Sequence, residues 1–265
     1  MNKIYIKDIV NTLEAHFPLR WQESFDNSGM QVGEINRPCS GALICVDATP
    51  EIVIETFERN CNLIITHHPL IFHPLKNLTG YDRVKRTLVK AIRHDIAIYS
   101  CHTPVDNAPV EGVSWQLAAK LGLTNIEQLE KKGPDGIGCG VVGDLPELLS
   151  PKALVERVKE AFETPVARCS DPELAPSAIG RVAICGGAGS FLIDDACQAG
   201  AGAYITSDNK HNHFIDRNHE LLLVDIGHFE SEKITKQIFY QIIREKFANF
   251  ALYYSNVENN PINYL

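Results

Sequence analysis

Apolar positions along the chain follow two rhythms, and each rhythm predicts a type of element. Ile6, Ile9, Val10 and Leu13 recur at helical spacing, so residues 4–17 are expected to open the chain as an amphipathic helix that Pro18 ends. Short unbroken apolar runs then alternate with helical patterns. Residues 42–46 read as a strand, 52–60 as a helix, 63–66 as a strand, 81–94 as a helix and 96–100 as a strand. Thr49-Pro50-Glu51 has the chemistry of a helix start, with Pro at the first helical position. A helix over 112–121 follows. The segment 122–143 is rich in Gly and short on periodicity, which places a junction there. Beyond it the pattern resumes: helix 151–162, strand 181–185, helix 190–199, strand 203–206, helix 211–218, strand 221–225 and a closing helix 228–247. This alternation predicts an α/β protein of two related three-layer domains, 1–123 and 124–265, with mostly parallel sheets covered by helices.

The two halves match at a fixed offset. Ile44-Cys45 recurs as Ile184-Cys185, Ala48 as Ala188 and Ile65-Thr66 as Ile205-Thr206, each 140 positions on. At that offset His67-His68 falls on Ser207-Asp208. His102 with Asp106 four residues on is echoed by His228 with Glu232 four residues on. A duplication of this kind puts polar strand ends where they face one cleft between the halves, and carboxyl ends of strands are where open α/β sheets bind ligands.

Chemistry concentrates at those ends. His67-His68 leave an apolar strand and meet Pro69, which stops the ladder and makes a turn there plausible. A lone His is more often a satisfied core residue than a ligand. An adjacent pair with further His and carboxylate downstream reverses that balance and points to a metal site. Neutral imidazole and carboxylate suit a borderline or hard divalent ion, and the available donors are His67, His68, His102, Asp106, His228 and Glu232. Five or six donors suggest two ions sharing a bridging carboxylate. Glu230 is a weaker candidate, turned about 160° from Glu232 around a helix. Asp26 and Asn27, in the Gly/Asn-marked loop before a short strand, either line the site or only form the turn. His73, His211, His213 and His219 line an entrance or lie on the surface. Gly186-Gly187-Ala188-Gly189-Ser190 looks like a phosphate-cradling turn but lacks the Lys of a Walker loop.

Composition narrows the class further. At 265 residues and 45% hydrophobic the chain can bury a proper core. A formal net charge of −8, with no Lys/Arg run, argues against wrapping nucleic acid. No apolar stretch approaches the roughly 20 residues of a membrane span, and the N-terminal segment lacks a signal-peptide core. Eight scattered cysteines without a CxxC read as reduced, mostly buried thiols. A cytoplasmic protein is expected.

The motifs then resemble those of a known family, the NGG1-interacting-factor-like proteins, often called GTP cyclohydrolase 1 type 2 homologues. The resemblance is carried by the run from Asp26 to Gly33, by Thr66-His67-His68-Pro69-Leu70-Ile71-Phe72, and by His102-Thr103 with Asp106. It continues through Cys185-Gly186-Gly187-Ala188-Gly189-Ser190, Tyr204-Ile205-Thr206-Ser207-Asp208 and Gly227-His228 with Glu232. It implies a dinuclear metal centre with His67, His68, Asp106, His228 and Glu232 as ligands to two divalent ions per subunit. Zinc, iron, manganese and nickel all suit such a set. His102 matches a position close to the metals, as a proton-transfer or outer-shell group and the catalytic candidate. The resemblance also implies a toroidal homohexamer. Two functions follow as expectations: a metal-dependent hydrolase of a small, nucleotide-like substrate, or a non-enzymatic metal-handling or scaffold ring.

Overall fold

The computed structural model describes residues 3–133 and 136–265. The chain forms two compact units, Met1–Val105 with Thr235–Pro261, and Asp106–Ile234 with Ile262–Leu265. Helix α1 (Ile6–His16) buries Ile6, Ile9, Val10 and Leu13, the stripe its spacing predicts. Asp8 folds back to accept the Tyr5 N–H at 2.8 Å and so fixes the helix start. Strand β1 (Gly29–Val32) precedes the main alternation of β2 (Ala42–Cys45), α2 (Pro50–Glu58), β3 (Leu63–Thr66), α3 (Arg83–Arg93) and β4 (Ala97–Ser100). Thr49 caps α2 by accepting the Ile52 N–H, and Asp82 caps α3 by accepting that of Lys85. A short helix α4 (Thr103–Asp106) carries the chain out of this unit.

In the first sheet the strand order is β1-β4-β3-β2. Strands β2, β3 and β4 pair in parallel, while β1 runs antiparallel to β4. Every residue of β2, β3 and β4 is buried, as expected for parallel strands covered on both faces. Leu43, Ile52, Val53, Ile64, Leu88 and Ile98 pack as one cluster on the α2/α3 side. Truncating one of these to Ala costs about 2–5 kcal/mol in such cores.

The second unit opens with α5 (Val113–Leu121), which ends on Gly122 in the left-handed conformation at φ +80°. It continues with β5 (Thr124–Gln128), β6 (Val141–Leu149), α6 (Pro151–Phe162) and β7 (Arg168–Cys169). Then come β8 (Ile179–Ile184), α7 (Ile193–Gln198), β9 (Ala203–Thr206), α8 (His213–Asp216), β10 (Leu222–Asp225) and α9 (His228–Glu232). The sheet order is β5-β6-β8-β9-β10-β7. Its centre, β8-β9-β10, is parallel, but β5, β6 and β7 all pair antiparallel. This sheet is therefore mixed, not mostly parallel.

The chain finally returns to the first unit as α10 (Thr235–Lys246) and β11 (Leu252–Tyr254). Strand β11 adds in parallel to the free edge of β2, and the Phe17 and Phe239 rings of α1's end and α10 meet at 6.4 Å. Glu258 accepts the Val46 N–H at 2.6 Å and pairs with Lys236, so the returning segment is tied to the end of β2. The units thus divide differently from the expected 1–123 and 124–265. Helix α5 belongs with the second unit, where Ser114 Oγ accepts the Gly186 N–H, and 235–261 belongs with the first. The expected closing helix over 228–247 is two helices, α9 and α10, because the chain changes units between them.

Candidate functional site

Three imidazoles gather at the carboxyl ends of β3 and β4. The His67 and His68 N–H groups bond the carbonyls of Cys45 and Val46 at 3.3 and 3.0 Å, which carries the ladder one step past each strand. Thr66 and Ser100 hydroxyls then donate to the His68 carbonyl at 2.7 and 3.2 Å and set the turn. His67 is fully buried, and its Nδ1 lies 3.1 Å from the Cys101 carbonyl oxygen. A carbonyl only accepts, so Nδ1 carries the hydrogen and Nε2 is the lone-pair nitrogen. The same logic holds for His68, whose Nδ1 is 3.2 Å from Asp47 Oδ1, and for His102, whose Nδ1 is 2.9 Å from Asp26 Oδ1. The ring centroids of His67 lie 4.8 Å from His68 and 5.2 Å from His102, and those of His68 and His102 are 5.5 Å apart. One ligand atom from each of the three lies within 4.8 Å of the others.

The acceptors behind these rings are themselves held in place. The Asp26 side chain has no exposed surface, and it accepts from His102, Thr103 and Ser28 together. Burial works against its charge, but the His102 contact and the two hydroxyls outweigh that and hold its carboxyl far below the usual range. Burial likewise opposes the charge on Asp47, and His68 with Arg83 overcomes it, so Asp47 also titrates low. Fixing Nδ1–H against an acceptor in this way aims Nε2 and raises its basicity, which is the support that ligating histidines receive.

In the second unit the donors sit where β10 passes into α9. His228 stands between two carboxylates: Nδ1 is 2.7 Å from Asp208 Oδ2, and Nε2 is 2.9 Å from Glu232 Oε2 one helical turn on. With an acceptor on each ring nitrogen, the ring needs either two hydrogens or one hydrogen and a cation. Asp208 reaches its position in the left-handed conformation, at φ +56°. Glu232 is buried against Gly187, which has φ +67°; a Cβ there would stand 2.2 Å from Glu232 Oε1. The glycine turn after β8 therefore serves the approach of a carboxylate. Ser231 Oγ accepts the Gly187 N–H at 2.9 Å and Thr206 Oγ1 accepts that of Gly189, so this turn is held by neighbouring side chains.

Of the residues expected to form the site, His67, His68 and His102 come together in the first unit, and His228 and Glu232 pair in the second. Asp106 ends α4, half-buried. Burial pushes the Cys139 thiol up to about 12, with Lys132 lowering and Asp106 raising it; burial first, and then Cys139 and Asp106, push the Cys185 thiol up. Glu232 acts on Cys185 as well, so Asp106 and Glu232 both lie within electrostatic reach of that thiol. His73, His211 and His219 are exposed, and His213 accepts the Lys210 N–H. Glu230, set aside on helical geometry, is buried beside Gly227. The sequence reading missed Asp47 and Asp208 as anchors. Their signal was positional: Asp47 follows the end of β2, and Asp208 is the repeat partner of His68.

The donor chemistry fits a divalent ion, since imidazole nitrogens with fixed tautomers and a buried carboxylate are what zinc-type and iron-type ions take. Fold and donors together define an α/β protein whose parallel strands end in His and carboxylate groups able to hold metal. The chain belongs to the Duf34/NIF3 (NGG1p interacting factor 3) family, whose model matches residues 4–261. A Clostridium acetobutylicum protein called GTP cyclohydrolase 1 type 2 homolog is 31% identical over 231 residues, covering 86% of this chain and 85% of the relative. A Lactococcus lactis protein of the same name is 32% identical over 263 residues, covering 97% and 98%. Among solved structures, Staphylococcus aureus SA1388 superposes with a TM-score of 0.89 at 26% identity, covering all of both chains. A Bacillus cereus protein related to NIF3 has a TM-score of 0.91 at 24% identity, again over the full length of both, and shares the fold. No helix among the described residues is long and apolar enough to cross a membrane.

Proposed function

We propose that this chain is a divalent-metal-dependent hydrolase of a small, nucleotide-like molecule, with His67, His68, Asp106, His228 and Glu232 as ligands to two ions. The observation that carries the proposal is the trio of imidazoles, each tied through Nδ1 to an oxygen acceptor so that Nε2 remains for an ion at His67 and His68 and for a proton at His102. Bound ions would supply Lewis acidity and an activated water. The chain's own groups do the rest. Asp26 and Asp47 hold His102 and His68 in one tautomer, and Asp208 does the same for His228. His102 is assigned proton transfer: Asp26 steadies the Nδ1–H, and Nε2 takes up or gives the proton.

The relatives' name supports this class, because opening a ring at an imidazole carbon is a hydrolysis. The same proposal includes a toroidal homohexamer in the cytoplasm, which light scattering on the purified chain and fractionation of cells check. Turnover is tested by offering metal-loaded protein a panel of nucleotides, phosphoesters and amides, with His102→Gln as the comparison. Hydrolysis by the wild type, lost in His102→Gln with metal content unchanged, is expected. Exchangeable metal with no turnover on any member of the panel would favour metal handling instead.

A further inference from the structure

Beside the imidazole trio, the loop before β1 and the turn after β3 each expose a phenyl ring. Phe25 is 61% exposed and Phe72 39% exposed, and their centroids lie 6.3 Å apart at 48°. Exposed phenyl forgoes the burial that stabilises it elsewhere, so a fixed pair marks a binding surface. The pair is fixed. Asn27 Nδ2 donates to the Ile71 carbonyl at 2.7 Å, and the Ile71 N–H donates to Gln31 Oε1 at 3.0 Å. Both backbone polar groups before Phe72 are thus clamped by the segment that carries Phe25. Asp26, next to Phe25, is itself locked to His102 and Thr103. The Phe72 centroid stands 6.1 Å from that of His102, edge to face at 71°.

We propose that Phe25 and Phe72 form a stacking platform for a planar heteroaromatic ring, the nucleobase of the substrate, and place it beside His102. This deepens the hydrolase reading and rests on it. Rigid aromatic faces gain from stacking on any base without needing hydrogen bonds to its edges. The platform therefore selects for a flat ring, and not for one particular base.

Titration calorimetry with GMP, AMP and UMP, and with ribose 5-phosphate as the ringless control, tests the platform on protein whose metal content is measured in the same sample. At least one nucleotide should bind more tightly than ribose 5-phosphate. Phe72→Ala and Phe25→Ala should each weaken that nucleotide roughly tenfold, in line with loss of a base stack. Phe72→Leu should lose nearly as much, and Phe72→Tyr should stay near wild type. Ribose 5-phosphate binding, metal content and thermal midpoint should not move. Nucleotides that bind no better than ribose 5-phosphate, or bind equally to the Ala variants, overturn the platform while normal metal content leaves the metal reading standing. A change of oligomeric state in the Ala variants with unaltered nucleotide affinity also overturns it, making the pair a subunit contact. Stacking that depends on Phe72 in a chain without metal would keep the platform and remove the metal reading.

Discussion

The two units build the same frame and spend it differently. In the first, β1 lies antiparallel beside β4 and the parallel trio runs β4-β3-β2; in the second, β7 lies antiparallel beside β10 and the trio runs β10-β9-β8. The registers agree as well. Ala42 pairs with Leu63 and Val182 with Ala203, both 140 positions apart between units. Yet the end of β3 delivers the donors His67 and His68, whereas the end of β9 delivers Asp208, an anchor for a donor on α9. The first unit holds imidazoles backed by the Cys101 carbonyl, Asp47 and Asp26. The second unit brings a buried carboxylate forward, and a glycine makes room for it. A repeated scaffold fixes where polar groups emerge, while which of them is a candidate ligand and which a support is decided one position at a time.

Changes that attack this division of roles should act in a definite order. Gly187→Ala is expected to do most, since it adds a clash with Glu232 to a left-handed backbone. A loss of about 2–4 kcal/mol in unfolding free energy is expected, with weakened metal binding. Denaturant melts beside Gly143→Ala, whose Cβ would meet strand backbone with no donor nearby, separate strain from site damage.

Removing anchors comes next. Asp47→Asn, behind His68, and Asp208→Asn, behind His228, should each lower metal affinity roughly 10–100-fold by chelator competition, since an amide no longer fixes the tautomer. If Asp208→Asn leaves affinity unchanged, its assignment as an anchor fails and the contrast between the units weakens.

Most of the frame was legible because its signals are local. The apolar runs of β2, β3, β9 and β10, the cap Thr49 and the helix-opening Pro151 lie within a few residues of what they specify. Strands β5, β6, β7 and β11 were missed because their pairing partners, not their own patterns, make them strands. Residues 141–149 include Gly143 and Pro146 and bulge between Asp144 and Leu149, which erases the alternation. The return of 235–261 to the first unit is a long-range choice made by the open edge of β2. Among the candidate site residues, His67, His68, His102, His228 and Glu232 stand out in the sequence by type. Asp47 carries no such mark, since an Asp after a strand is ordinarily a turn former.

The smallest expected effect lies at the return segment. Glu55 accepts from Ser255 Oγ at 2.7 Å and from the Asn256 N–H at 2.9 Å. Burial opposes its charge, but these bonds and Arg59 prevail, so its carboxyl titrates below the ordinary 4.5. A lowered folded value means the stabilisation is complete above the unfolded pKa and fades as pH falls below about 4.5 through the folded one. Wild type should therefore lose roughly 1–2 kcal/mol between pH 5 and pH 3 that Glu55→Gln does not lose, read by urea melts across that range. Parallel curves for the two proteins would remove Glu55 as the tie.

If the donors at these strand ends hold metal, the metal content of the purified chain will show it. Elemental analysis of untagged wild type, His68→Ala and Glu232→Ala should find about two ions in the wild type, as a dinuclear set requires, and fewer in both variants. Near-zero metal in all three, not restored by adding zinc, iron, manganese or nickel, would contradict the account.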